Sequence, residues 1–243
     1  MATASQSIRE IVSKQSSAAA ILQRFEIDLC LHAEESLKQA CANLQLSIDQ
    51  VLEKLSEAEE KENGDLRTNV AGYSLSRLIQ HVVRTHHQYV RSELPRLAEM
   101  ANKLVGEHGD GAPELKQVEN LINALHAELL AHICKEEQVL FPFIAQLDQE
   151  PEGRVTLNGA CFETVAQPVS KMVREHQSVE ILAAEMRTLT NGFSVPAWAC
   201  PTYIALYIGL NQFDADLRQH LHVENDILFP RAIEMESALT VRS

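Results

Sequence analysis

The chain has 243 residues, 45% hydrophobic and 23% charged, enough for one large domain or a large and a small one with the balance of an ordinary soluble globular protein. A formal net charge of −13 without any Lys/Arg cluster argues against nucleic acid, whose phosphates require basic patches. Neither a membrane span of about 18 apolar residues nor the apolar core of a signal peptide is present, and five scattered cysteines without a Cys-x-x-Cys point to a reducing compartment, by default the cytoplasm.

Only nine Gly and eight Pro, with few β-branched runs, point to helix throughout. Residues 1–62 read as a small helical unit, with apolar-periodic segments at Ile8–Val12, Ala18–Phe25, Leu37–Leu44 and Ile48–Leu55. Ser47 and Gln50 have capping-box spacing. The charged run Glu57–Glu62 leads into Asn63-Gly64-Asp65, and 63–73 reads as a linker. From 74 to 243 the period is that of long helices.

The first long helix carries Leu75, Ile79, Val83, Val90, Leu94 and Leu97 and stops near Gly106 and Gly109. The second starts near Pro113 and carries Val118, Ile122, Leu125, Leu129, Val139, Phe143 and Leu147. Pro151, Gly153 and Asn158-Gly159 mark a loop. The third helix runs from about Pro168 to Asn191-Gly192, and the fourth begins between Pro196 and Pro201. Four such helices fit an antiparallel bundle. Pro142 and Pro230 fall inside the pattern, so each is expected to kink its helix.

One motif occurs twice. His132 and Glu136 run on to Leu140-Phe141-Pro142, and 88 residues later His220 and Glu224 run on to Leu228-Phe229-Pro230. Residues four apart share a helix face, about 6 Å apart along the axis, so each copy sets an imidazole beside a carboxylate. His87 lies 45 residues before His132, and His176 lies 44 before His220, which suggests two matching halves. A single His-x-x-x-Glu carries little weight, since His176 and Glu180 form one by chance. The duplicated pairs, however, interrupt apolar stripes, where an unpaired carboxylate is costly and a cation removes the cost.

Of the adjacent His86 and His87 only one is expected to point inward, with His81 a neighbour. Glu128 and Asp216, four residues before His132 and His220, are candidates to orient those ligands or pass a cation. Glu180, Asp226, His32, His108 and His222 are expected at the surface.

These motifs resemble the RIC family (repair of iron centres, of the YtfE, ScdA and DnrN type) over nearly the whole chain. Leu125–Pro142 looks like that family's first ligand helix, His220–Ala232 like its second, and Glu175-His176 matches its third-helix histidine. Anchoring on Glu93-Leu94-Pro95 selects His87 rather than His86. The resemblance implies an all-α fold, a hemerythrin-like antiparallel four-helix bundle behind a small helical N-terminal domain. It implies six metal ligands, His87, His132, Glu136, His176, His220 and Glu224, holding two iron ions bridged by both glutamates and an oxo group. It also implies repair of damaged iron–sulfur proteins by iron donation under oxidative or nitrosative stress.

The rival readings are an oxygen or nitric oxide carrier or sensor, a di-iron nitric oxide or peroxide reductase, and a metal-free interaction protein. Neither nucleic acid nor membrane is implied, and a homodimer stays open. The chain departs from the family at the N-terminal Cys-Cys pair, where Cys30 is followed by Leu31. Cys30 alone is the candidate thiol, with Cys41 as a partner or with none.

Overall fold

The computed structural model describes residues 2–15, 17–29, 31–65, 70, 72–149 and 164–240. Their secondary structure is helical, with one isolated antiparallel bridge between Ser7 and Ser36. Among the described residues, no helix is long and apolar enough to cross a membrane. The chain packs as two compact units.

The first unit comprises Met1–Thr68, Glu99–Lys116 and Thr190–Gln212. Its short helices are α1 (Ile8–Lys14), α2 (Ala18–Arg24), α3 (Leu37–Asn43) and the longer α4 (Ile48–Asp65). Each of α1 and α3 begins at a serine whose hydroxyl accepts an otherwise orphaned amide. Ser7 accepts from Glu10, which completes a capping box by accepting the Ser7 amide, and Ser36 accepts from Gln39. The box expected at Ser47 is only a long contact, 3.5 Å from the Gln50 amide. The helix behind it continues to Asp65, through Asn63-Gly64, where a linker was expected to begin. Ile8, Ile11, Leu22, Leu37, Val51 and Leu55 are buried here, and Lys103 pairs with Asp28 at 2.8 Å.

The second unit comprises Asn69–Ala98, Gln117–Leu189 and Phe213–Ser243. Four helical rods of an antiparallel bundle run through it. The first is α5 (Leu75–Val82), a π turn at Val83–His87 and α6 (Gln88–His108). The second is α7 (Glu114–Lys135), a π turn at Glu136–Leu140 and α8 (Phe141–Gln149). The third is α9 (Ala166–Leu189), and the fourth is α10 (Pro201–His222), a π turn at Val223–Leu228 and α11 (Phe229–Thr240). The loop expected around Pro151–Gly159 lies outside the described residues.

Two of the three π turns lie just before prolines. Pro142 and Pro230 have no N–H, so each would orphan a carbonyl in an unbroken α-ladder. Here the preceding amide reaches back five residues, Phe141 N–H to the Glu136 carbonyl and Phe229 N–H to that of Glu224. The wider turn inserts one residue and moves the buried stripe by one place. Leu140 and Ile144 are buried together with the expected Phe143, whereas Val139, expected in the stripe, is 50% exposed. In the fourth rod Leu228 is buried and Ile227 half-buried. In the first rod the same widening turns both His86 and His87 inward, at 1% and 0% exposure, so the expectation that only one would fit is corrected.

Candidate metal centre

Six side chains meet inside the second unit. His87 ends the first rod's π turn, His132 lies in the last turn of α7, Glu136 opens the next π turn, His176 lies in mid-α9, His220 ends α10 and Glu224 follows in the last π turn. All six are at most 1% exposed. They form two overlapping groups: His87, Glu136, His220 and Glu224, and His132, Glu136, His176 and Glu224. Within each group one donor atom per residue lies within 4.8 Å of all the others.

The two glutamates belong to both groups, with their oxygens divided between them. Glu136 turns Oε2 to His87 Nε2 at 3.3 Å and Oε1 to His132 Nε2 at 3.2 Å. Glu224 turns Oε1 to His220 Nε2 at 3.1 Å and Oε2 to His176 Nε2 at 3.2 Å. That is the disposition of a carboxylate bridging two cations, each also facing two imidazoles.

The donors fit cations by what they lack. All four glutamate oxygens, with the Nε2 atoms of His87 and His220, are buried without a hydrogen bond. Burying an ionised carboxylate so costs several kcal/mol unless a positive charge offsets it. His132 and His176 face each other Nε2 to Nε2 at 2.8 Å. Their Nδ1 protons are already committed, to Glu175 at 3.0 Å and Asn225 at 2.8 Å. With Nε2 deprotonated, two rings so held would direct two lone pairs at one spot, which suits a cation. Imidazole and carboxylate without thiolate suits non-haem iron, with manganese or zinc as alternatives of similar geometry.

The ring orientations follow from a second tier of side chains that the sequence reading only partly foresaw. His87 Nδ1 donates to Glu137 at 2.8 Å, and Arg91 grips that carboxylate with both nitrogens, at 2.8 and 3.0 Å. Burial works to raise the Glu137 pKa, but Arg91 and His87 outweigh it and hold the carboxyl below its ordinary range. Lys135 and His132 do the same for Glu175 against the same opposition. These two carboxylates and Asn225 hold the tautomers that leave Nε2 free to bind.

Glu128, expected to orient His132, is instead exposed on α7, and Glu175 does that work. Asp216, expected behind His220, bonds His86 Nδ1 at 2.8 Å. The signal that could have found Glu137, Asn225 and Glu175 is adjacency, since each is next in sequence to one of the six clustered side chains on its own rod.

Other expectations sort by exposure. Glu180, Asp226 and His222 are exposed, and His222 pairs with Asp226 at 2.6 Å. His108 is partly exposed near Trp198. His32, expected at the surface, is buried at 8% exposure beside Glu35. His81 lies edge-on to His86. Cys30 lies outside the described residues, while Cys41 is buried in the first unit, where burial pushes its thiol pKa up.

Comparison with known proteins agrees with this geometry. The hemerythrin HHE cation binding domain matches residues 78–232, and ScdA_N, a domain of unknown function (DUF542), matches residues 4–59. The iron-sulfur cluster repair protein YtfE of Pectobacterium atrosepticum is 33% identical over 239 residues, covering 97% of this chain and 100% of that protein. Those of Enterobacter sp. (strain 638) and Escherichia coli O81 are each 31% identical over 238 residues, with the same coverage.

Proposed function

The chain belongs to the YtfE family of iron–sulfur cluster repair proteins, with a hemerythrin-type cation-binding domain, and from that membership we propose that it is a di-iron protein restoring damaged iron–sulfur clusters by giving up iron. The observation that carries this reading is the sharing of Glu136 and Glu224 between two histidine pairs. His87 with His220 would hold one ion, His132 with His176 the other, and each glutamate would serve both. A pair of iron ions bound there would supply redox-responsive affinity.

Two imidazoles and two shared carboxylate oxygens would give each ion four protein ligands and leave coordination positions for water or a small diatomic. A site with so few nitrogens should let ferrous iron go more readily than an oxygen carrier's. Release after reduction is therefore the functional event on this reading, with damaged iron–sulfur proteins as recipients. Nitric oxide or oxidants are the damaging agents and the cytoplasm the setting. The acidic shell of the chain, −13 overall, is compatible with handling a cation rather than a polyanion.

The test joins metal analysis and the optical spectrum, before and after reduction, to a repair assay on a cluster-damaged client enzyme. Two irons per chain, loss to a mild ferrous chelator on reduction, and recovery of the client support donation. Iron held tightly through reduction, with reversible oxygenation or catalytic consumption of nitric oxide, would instead make the protein a carrier or a reductase.

A further inference from the structure

The orienting side chains form a ring around the bundle that is complete at three links and open at the fourth. His87 on the first rod is held by Glu137 on the second, and His132 on the second by Glu175 on the third. His176 on the third is held by Asn225 on the fourth. In each case the holder comes from the next rod and adjoins that rod's own ligand. The pattern calls for a residue on the first rod, beside His87, to hold His220 on the fourth.

The residue in that place is His86, and it does not hold His220. Its ring lies parallel to that of His220, 5° between planes and 5.2 Å between centroids, and its Nδ1 goes to Asp216. His220 Nδ1 is consequently buried with no hydrogen-bond partner, and so is His86 Nε2.

We propose that His86, clamped by Asp216, is the positioning residue that makes the two halves of the centre unequal, so that the half formed by His87, His220, Glu136 and Glu224 gives up its ion first. This inference rests on the two-ion reading above and adds which position is the exchangeable one. The physical ground is the missing acceptor. A carboxylate or amide oxygen on the outer nitrogen fixes a ligand histidine's tautomer and raises its basicity, and losing such a partner weakens metal affinity roughly 10–100-fold. In the other half both histidines have that support. In this half one does, and the other is stacked against a ring that orients its plane without accepting its proton. His86 and Asp216 thus preserve the geometry of His220 while withholding the bond that would tighten it.

The experiment follows release of ferrous iron from the reduced, two-iron full-length protein to a chelator, in wild type and four variants. Iron content is measured first, and a wild type that binds fewer than two irons refutes the di-iron reading rather than this one. The wild type should release its irons in two phases of equal amplitude. Glu137→Gln, which weakens support of His87, should quicken the fast phase alone, and Glu175→Gln, which weakens support of His132, the slow phase alone.

His86→Gln can donate to Asp216 through its amide nitrogen and accept from His220 Nδ1 through its oxygen. It should slow the fast phase about tenfold or more and merge it toward the slow one. His86→Phe keeps a stacked ring but offers no acceptor, so its fast phase should not slow. The loaded protein's nitrogen and oxygen coordination numbers by X-ray absorption should be the same in wild type and His86→Gln. A single release phase in the wild type would overturn the proposal. So would Glu175→Gln quickening the phase that His86→Gln alters, or equal slowing by His86→Gln and His86→Phe.

Discussion

Phe141 lies flat against His87, their ring centroids 5.6 Å apart and their planes within 9°. Phe229 repeats the arrangement on His176, at 5.9 Å and 11°. The duplicated Leu-Phe-Pro that follows each His/Glu pair is thereby accounted for residue by residue. The leucine is a core anchor, the phenylalanine lies against an imidazole from another rod, and the proline follows a π turn that has already shifted the hydrogen-bond ladder. Phe141→Ala should therefore cost about 3–5 kcal/mol of stability, as large aromatic truncations in cores do. It should also loosen the His87 side of the centre. Thermal unfolding of the metal-loaded and metal-free forms measures both effects, and a loss confined to the metal-free form would deny the link to His87.

The shared glutamates separate a metal centre from a set of buried ion pairs. Glu136→Ala and Glu224→Ala each remove an oxygen pair that faces both groups, so either change should abolish binding at both positions rather than one. Iron content per chain measures this directly. If one iron remained in either variant, that glutamate would belong to a single ion and the bridging assignment would fall.

Proton competition gives the pH dependence. Burial opposes charge on His87, but the facing carboxylates of Glu136 and Glu224, 3.3 and 3.7 Å from its Nε2, outweigh it and raise its pKa to about 10 in the metal-free protein. His132 is raised to about 9, burial being outweighed mainly by Glu136. Both lie above the ordinary 6.5, so their contribution to metal-free stability is complete below that value and is lost as pH rises through about 9 to 10. At neutral pH a cation must displace these protons, and its affinity should rise with pH over the same interval. Adding ferrous or cobaltous ion to metal-free protein in weakly buffered indicator dye should release about two protons per chain. No release would mean the two rings are already neutral before the metal arrives.

The N-terminal domain offers no adjacent pair of thiols. Leu31 follows Cys30 and its side chain is well exposed, while Cys41 is buried. A trivalent arsenical, which needs two neighbouring thiolates, should leave repair of a client cluster unchanged at concentrations that saturate dithiol controls. Inhibition that dithiol reverses would show a paired thiol after all, and would reopen the question for Cys30.

Helix content, the order of the four rods and the six clustered His and Glu side chains were legible in the sequence because they rest on short-range regularities. Apolar residues at helical spacing mark each rod, and the duplicated His-x-x-x-Glu with Leu-Phe-Pro marks the ligands. Which of the adjacent histidines joins the cation-binding groups was legible only by resemblance, and periodicity misled on their burial. A one-residue π insertion at Val83–His87 changes the phase of the helix, so both rings turn in. A matching insertion at Glu136–Leu140 explains why Val139 is exposed and Leu140 buried.

The outer tier was decided by tertiary structure. Glu137, Glu175 and Asn225 act on histidines 43 to 50 residues away, across rods, and no local spacing encodes such a pairing. Glu128 was a sound guess by helical spacing but lost to Glu175, because the Nδ1 of His132 points across the bundle and not back along its own helix. The sequence by itself determined which atoms could bind a cation, since that depends on residue type and on the fixed 3.6-residue turn. Only the folded bundle decided how firmly each of those atoms is held, because hydrogen-bond partners on separate helices are chosen by packing and rod register.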